Sequence, residues 1–598
     1  MARSRLLDAL NRAPARPLGV ALVSLLLAGA CGSEVDTTPP VVPPEEDAGT
    51  GGSAPDAGSN LPPVASFVAT PQAAVALSTV RLDASASDDP DGTIETYEWT
   101  LGDGATTEGV EVEHEYATAG CYQATLVVTD DDGASNTTSQ TIVVSSSLPS
   151  GPPLATFEEL PLDGSVIVRD VPTNVGVARI RGVVSSPGYH FVVAEAHDGS
   201  GIAAAIEAPL CGPGSDLPFD LELPIPAELT RYDIVVRLMA GNEGRVLGWI
   251  YDVVAGDVLL VQGQSNAVAR SFDGDANVNQ GPFLRSFGTR SEDPTVTSTD
   301  LEWHLAEGNA AAGQGAVGQW ALRMGRALVD AHGVPLAILN GARGGQPISY
   351  FQRNDADPTD LSTNYGRLLY RVRAAGLEDG IRGILFYQGE SDGTNATAHH
   401  DGFVALHEDW LDDFPSVERT YVTQIRLGCG GALPLREVQR SFADELAAVS
   451  VMSTTGLDGH DGCHYAYLEG YEALGERYGA LLGRDLYEAP AAPDIEAPNP
   501  ESARFSRSDG TEITLQMRDV ASTLSWDPGA EVDFVLEGAA VTVTSGQASG
   551  SALVLTLSGD GRSATGLSYG GHPGAGPWVV NATGVGLLAF YDLPVAQN

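Results

Sequence analysis

Four short polar runs hold the residues of this 598-residue chain whose types and spacing could do acyl-transfer chemistry. They are Gln262-Gly263-Gln264-Ser265-Asn266, Gly341-Ala342-Arg343-Gly344-Gly345-Gln346, Gln388-Gly389-Glu390-Ser391 and Asp461-Gly462-Cys463-His464. A serine in a sharp strand-to-helix turn projects its hydroxyl and leaves its own N–H free for an anion. Glycines in the second run let a reacting carbonyl approach a backbone N–H. Asp461 and His464, three apart on a tight turn, can touch, so the carboxylate can orient the imidazole and stabilise its cation. Singly these signals are weak, because Gly-x-Ser recurs by chance and Asp-x-x-His is more often structural. In this order, each after a predicted strand, they form a set.

The elements that must position them lie between residues 256 and 487. Apolar runs at 257–261, 334–339, 381–387, 421–427 and 448–452 read as buried strands, 318–332 as a helix and 465–482 as a closing helix. Continuous apolar strands alternating with helices imply a parallel sheet covered on both faces, with ligand sites at the carboxyl ends of its strands.

The rest of the chain has other textures. Arg3, Arg5, Arg12 and Arg16 precede an apolar run at 18–30 that is too short to span a bilayer, and Leu27-Ala28-Gly29-Ala30-Cys31 follows the pattern of small residues before a cysteine. Residues 1–30 thus resemble a bacterial lipoprotein signal, although Ala28 stands where a larger apolar residue is commoner. The resemblance implies an exported protein anchored to the cell envelope only through lipid on Cys31. Residues 31–61, rich in Pro, Gly, Ser and acids, read as a flexible tether. From 62 to 146, short alternating strands and Asp/Gly turns, with Trp99-Thr100-Leu101-Gly102-Asp103-Gly104 and Gly120-Cys121-Tyr122, resemble the PKD domain, an immunoglobulin-like β-sandwich. There Asp88-Asp89-Pro90-Asp91-Gly92 offers clustered oxygens for calcium, with solvated turn acids as the plainer reading. Residues 150–255 read as a second β-sandwich, 488–500 as a Pro-rich joint and 501–598 as a third β domain.

The four polar runs together resemble the SGNH (GDSL-like) hydrolases, in their sialate O-acetylesterase and acetylxylan esterase branch, from about residue 155 to the end. The fold so implied is α/β: a three-layer, flavodoxin-like parallel sheet flanked by β-sandwich domains. By motif, Ser265 is the nucleophile, His464 the base and then the acid, and Asp461 its orienting partner. The oxyanion hole would combine the N–H of Ser265, the N–H of Gly344 or Gly345, and the side-chain amide of Gln388, where the wider superfamily has Asn. Asn266 and Glu390 stand behind these groups; Glu390 could equally bind sugar or buttress the serine turn. The implied reaction is removal of O-acetyl groups from a carbohydrate through an acyl-serine, on an acetylated glycan or small ester. The rival is an idle glycan-binding lipoprotein.

Composition and spacing limit the alternatives. With 32 basic against 79 acidic residues and a net charge of −47, the chain is no general nucleic-acid binder. No His-Glu-x-x-His or similar spacing calls for a metal, and no cofactor is implied. Apart from Cys31, Cys121, Cys211, Cys429 and Cys463 allow three pairings, and Cys429–Cys463 would stiffen the histidine loop. His399, His400 and His407 lie in a polar stretch and read as surface side chains.

Overall fold

The computed structural model describes residues 60–149, 153–212, 216–490 and 492–597, so the signal, Cys31 and nearly all of the tether lie outside the described residues. Val258 to Val261 show no polar alternation because helices cover both sides of their strand. Val258 and Leu260 pack with Leu368, Phe403 and Trp410, while Leu259 and Val261 pack with Trp320, Leu322 and Leu481. Their strand is β1 (Glu243–Gly263). It lies between β2 (Leu336–Asn340) and β3 (Ile381–Tyr387), beyond which come β4 (Arg419–Gln424) and β5 (Val449–Ser453), every pairing parallel. Leu284–Phe287 adds a parallel strand beside β2, and Trp303–Leu305 pairs antiparallel with it at the edge.

Helix α1 (Ser265–Val268) follows β1 directly, and α2 (Pro294–Thr299) lies in the long connection after it. Helices α3 (Gln319–His332) and α7 (Glu472–Tyr487) cover one face of the sheet. The other face is covered by α4 (Asn364–Ala374), α5 (Ala396–Asp413) and α6 (Leu433–Glu445). The closing helix differs from the expected 465–482. A wide turn at Tyr467–Tyr471 precedes it and the helix runs on to Tyr487, because Tyr465 pairs with His460 and Ala466 is extended.

Residues 155–254 form a β domain with its own core, in which Ile180, Leu221, Leu223, Ile234 and Val236 are buried together. It shares β1 with the parallel sheet. The first part of β1 runs antiparallel to Tyr232–Ala240; Val254–Gly256 then pairs in parallel with Val166–Val168, and Asp257 onward pairs with β2. Asp257 sits at this seam, buried and bonded to two buried arginines, Arg169 at 2.8 Å and Arg382 at 3.1 Å.

The N-terminal β domain packs Phe67, Trp99, Leu126 and Ile142 in a core of its own. It is joined to the next domain by the Cys121–Cys211 disulfide and by His190 Nε2 on Ala74 O at 3.0 Å. The Asp88–Gly92 run, which offered oxygens for calcium or plain solvated acids, is a bend whose Asp91 accepts the N–H of Leu61. Among the described residues no group of three or more His, Cys, Asp or Glu is arranged to hold a metal ion. The C-terminal β domain, cored by Phe505, Leu515, Leu555 and Phe590, docks on β4 and α6. Gln424 both receives the N–H of Ala589 and donates to its carbonyl, and Arg436 donates to Gly570 O.

Candidate active site

The end of β1 turns sharply because residue 263 is glycine. Its φ is +132°, and an added Cβ would lie 2.1 Å from Tyr387 O, so a side chain is barred there. Gln264 N then bonds to Tyr387 O at 2.8 Å, and Ser265 opens α1. The turn after β2 is held against it: Gly341 N bonds to Val261 O and Arg343 N to Gly263 O, both at 2.8 Å. Gly344 comes so near that an added Cβ would touch Ser265 Cβ at 3.5 Å. Among the described residues neither Ser265 N–H nor Gly344 N–H has a partner. Gly345 follows with φ +72°.

Ser265, Gly344, Gly345, Glu390 and His464 line one cavity of about 740 Å³. His464 is stacked on Phe272, ring centroids 4.5 Å apart, and its Nδ1 lies 3.6 Å from Asp461 Oδ2. Asp461 Oδ1 receives the N–H groups of His464 and Cys463, both at 2.8 Å, and these bonds, that of His464 foremost, hold its pKa below the usual carboxylate value. No hydrogen bond joins Ser265 Oγ to His464. The histidine loop is tied by the Cys429–Cys463 disulfide and by Arg426, which donates to Gly462 O and, at 2.7 Å, to Pro573 O of the C-terminal domain. His460 is occupied by Arg426 Nη2 at 2.9 Å.

Asn266 joins the pieces. Its Nδ2 donates to Glu390 Oε1 at 2.8 Å and to Cys463 O at 3.3 Å, and its Oδ1 accepts from Tyr471 OH at 2.8 Å. Glu390 is buried, with Oε2 unpartnered, and burial raises its pKa to about 7.

Gln388 departs from the expectation. It is fully buried and does not line the cavity. Its Nε2 donates to Asp392 Oδ2 at 3.0 Å, Gln346 O at 3.2 Å and Gln264 Oε1 at 3.4 Å. With its amide hydrogens engaged, it is not free to meet an oxyanion. It holds Gln264 instead. Gln264 Oε1 also receives Ser391 N–H at 3.0 Å, and Gln264 Nε2, in a residue that lines the cavity, has no partner among the described residues.

The histidines of α5 also differ from expectation. His399 is wholly buried and bonds Asp392 at 2.8 Å, and His407 is buried too; His400, one-third exposed, pairs with Asp401 and Glu445. His399, Phe403, Leu406 and Trp410 share the inward face of α5, a helical period visible in the sequence but missed among its polar residues. Burial would raise Asp392, but bonds from His399, Ile348 N and Gln388 outweigh it and hold the pKa down.

Sequence reasoning also missed the cationic wall of the cavity, formed by Arg270, Arg290, Arg343, Arg367 and Arg371. Arg343 lies in the second polar run, but no motif marks the other four.

Comparison with known proteins matches two segments of the chain to known families. Residues 60–145 match the family model of the PKD domain, and residues 255–482 match that of a carbohydrate esterase family, sialic acid-specific acetylesterase. A carbohydrate acetylesterase from Xanthomonas citri shares the fold at 20% identity and a TM-score of 0.52, over 73% of this chain and 99% of that one. A PKD domain of Vibrio anguillarum aligns at 36% identity over 14% of this chain and 96% of its own, with a TM-score of 0.13. An Arabidopsis thaliana protein aligns at 18% identity over 38% and 99%, with a TM-score of 0.31.

Proposed function

We propose that the chain is a carbohydrate O-acetylesterase of SGNH type, acting by an acyl-serine on sialate-like sugar esters. The observation that carries this reading is one cavity lined by Ser265 and His464, beside the unengaged N–H groups of Ser265 and Gly344. The match of residues 255–482 to a carbohydrate esterase family supports the substrate class, and the strand order β2-β1-β3-β4-β5 supports the flavodoxin-like form of the SGNH sheet.

In the proposed reaction, Ser265 Oγ attacks the acetyl carbonyl while His464 Nε2 takes its proton. The negative oxygen of the tetrahedral intermediate meets Ser265 N–H and Gly344 N–H, with Gln264 Nε2 as third donor in place of Gln388. His464 returns the proton to the departing sugar oxygen. Water, deprotonated by His464, then attacks the acetyl-serine, and His464 returns that proton to Ser265 Oγ as acetate leaves. Asp461 orients His464 and stabilises its cationic form.

Two disulfides suit an oxidising compartment, which supports the further reading of an exported protein; lipid on Cys31 would anchor it. The test is turnover of 4-nitrophenyl acetate together with labelling by a serine-directed phosphonate. The label is expected on Ser265. Labelling of another serine, or no turnover by the mature protein, would overturn the assignment.

A further inference from the structure

Trp249 and Tyr251 alternate along β1 inside the accessory β domain, and Ile250 between them enters its core while they do not. They are 44% and 50% exposed. Their rings lie parallel within 5°, with centroids 6.1 Å apart. Rings in full face-to-face contact would stand roughly 3.5–4 Å apart, so each keeps part of its face open. Neither Trp249 Nε1 nor Tyr251 OH has a partner among the described residues. A lone exposed aromatic calls for no explanation, but a parallel pair makes a patch.

Charged side chains border the pair on the neighbouring strands. Trp249 stands opposite Val235 and Val235 opposite Glu195, so the three share one face of the sheet. Glu195 Oε2 receives Arg237 Nε at 3.1 Å and is bonded to His197 Nε2 at 3.1 Å, and the His197 ring lies 6.4 Å from that of Trp249. Glu195 Oε1 and both terminal nitrogens of Arg237 have no partner among the described residues, and these side chains are partly exposed, so a ligand can reach them.

A pyranose has an apolar C–H face, which buries against an aromatic ring, and an edge of hydroxyls that both donate and accept. The open ring faces supply the first, and a half-used carboxylate beside a half-used guanidinium supplies the second. Glu195 and Arg237 cancel in charge, so they do not draw an ion, and the net charge of −47 disfavours a polyanion. Protein interfaces are depleted of charge at their centres, whereas here an Arg–Glu pair adjoins the rings.

We infer that Trp249, Tyr251, Arg237 and Glu195 form a second carbohydrate site, outside the Ser265 cavity, which holds an uncharged stretch of a polysaccharide by stacking its pyranose rings on the two aromatics. Ser265 follows the end of the same strand, at most roughly 45 Å away at about 3.3 Å per residue, so the site and the cavity keep a fixed spacing. The site itself does not rest on the esterase reading; its effect on turnover does.

The test uses the full chain in affinity gels that contain deacetylated arabinoxylan or deacetylated glucomannan, which carry no ester for the cavity. At least one should retard the wild type. Trp249→Ala should weaken the apparent affinity about tenfold, the scale of one buried aromatic, and Trp249→Ala/Tyr251→Ala should remove retardation. Trp249→Phe keeps a ring and should keep part of the affinity. Arg237→Met should weaken it independently, which stands if the alanine variants do not fold. On esters, the double variant should match wild type on 4-nitrophenyl acetate and lose kcat/KM on the acetylated form of the polysaccharide that binds. No retardation of wild type by either polysaccharide, or retardation that survives the double variant, would overturn the site. So would an equal fall on both esters, which would make the pair a support of the cavity, or a dimer that Trp249→Ala disperses in sizing chromatography. If no ester is cleaved at all, the esterase reading falls and the gels alone decide the site.

Discussion

The turn that carries Ser265 and the loop that carries His464 reach the same cavity by different physical means. The serine turn is held from within. Gln264, Asn266 and Ala267 are buried, Trp320 Nε1 bonds Asn266 O at 2.7 Å, and the ends of β1, β2 and β3 are bonded to one another. The histidine loop is held from outside, by one disulfide, by Arg426, and by a single side-chain bond from Asn266 to Cys463 O. Its Asp461 side chain is 60% exposed. The sheet thus fixes the proposed nucleophile, while tethers fix the proposed base. The first should tolerate little and move little, and the second should be the adjustable half of the site.

Replacing the nucleophile gives the largest effect. Ser265→Ala is expected to lower kcat by about 10⁵–10⁶-fold with an unchanged melting temperature, measured on 4-nitrophenyl acetate and by calorimetry. A parallel fall in melting temperature would mean that the serine also holds the turn.

On the other side, Asp461→Asn should cost about 10²-fold in kcat, the lower end for such a partner, because the carboxylate is exposed and 3.6 Å from Nδ1. A loss as large as that of the serine variant would show that the loop closes on Asp461 when substrate binds. Cutting the tether is milder. Cys429→Ser/Cys463→Ser should lower kcat about tenfold while phosphonate still labels Ser265, since misplacement of the base by a fraction of an ångström is enough for that. Equal kcat with and without the disulfide would place the rigidity of the loop in Arg426 and Asn266 alone.

The smallest effect concerns the junction between the halves and appears in stability. Glu390 has its folded pKa raised to about 7 from 4.5 by burial, so the folded state binds its proton more tightly than the unfolded state does. Stability therefore falls as pH rises from about 4.5 through about 7, by on the order of 3 kcal/mol if the whole shift is realised. Glu390→Gln cannot ionise and keeps an acceptor for Asn266. It should unfold like wild type near about pH 4, and at higher denaturant than wild type near about pH 8.5. Parallel curves at both pH values would show that Glu390 is already neutralised by another route.

The two halves were also unequally legible. Strands such as 257–261 and 381–387 declare themselves because burial on both faces leaves only apolar residues, and the polar clusters stand out at their ends. The fate of a side chain is another matter. Gln388 has the right type and place for an oxyanion donor, but its rotamer answers to Asp392 Oδ2 and Gln346 O, contacts that no local pattern shows. His399 carries a helical period that its polar neighbours mask. Arg290 lies in a two-residue strand, too short for any periodicity, and Cys121 finds Cys211 in another domain, 90 residues away. Non-local geometry, rather than local propensity, decided each of these.

The shared strand β1 has a consequence for how such a chain can change. Side chains alternate across it with a period of two, and it is read by two cores at once: Ile250 and Val253 by the accessory sandwich, Val258 to Val261 by the hydrolase. A single-residue insertion near 254–256 would turn one set of side chains inside out relative to the other. The serine at its end would be displaced with them. The seam therefore behaves as a reading frame in space, across which the two domains are inherited together or not at all.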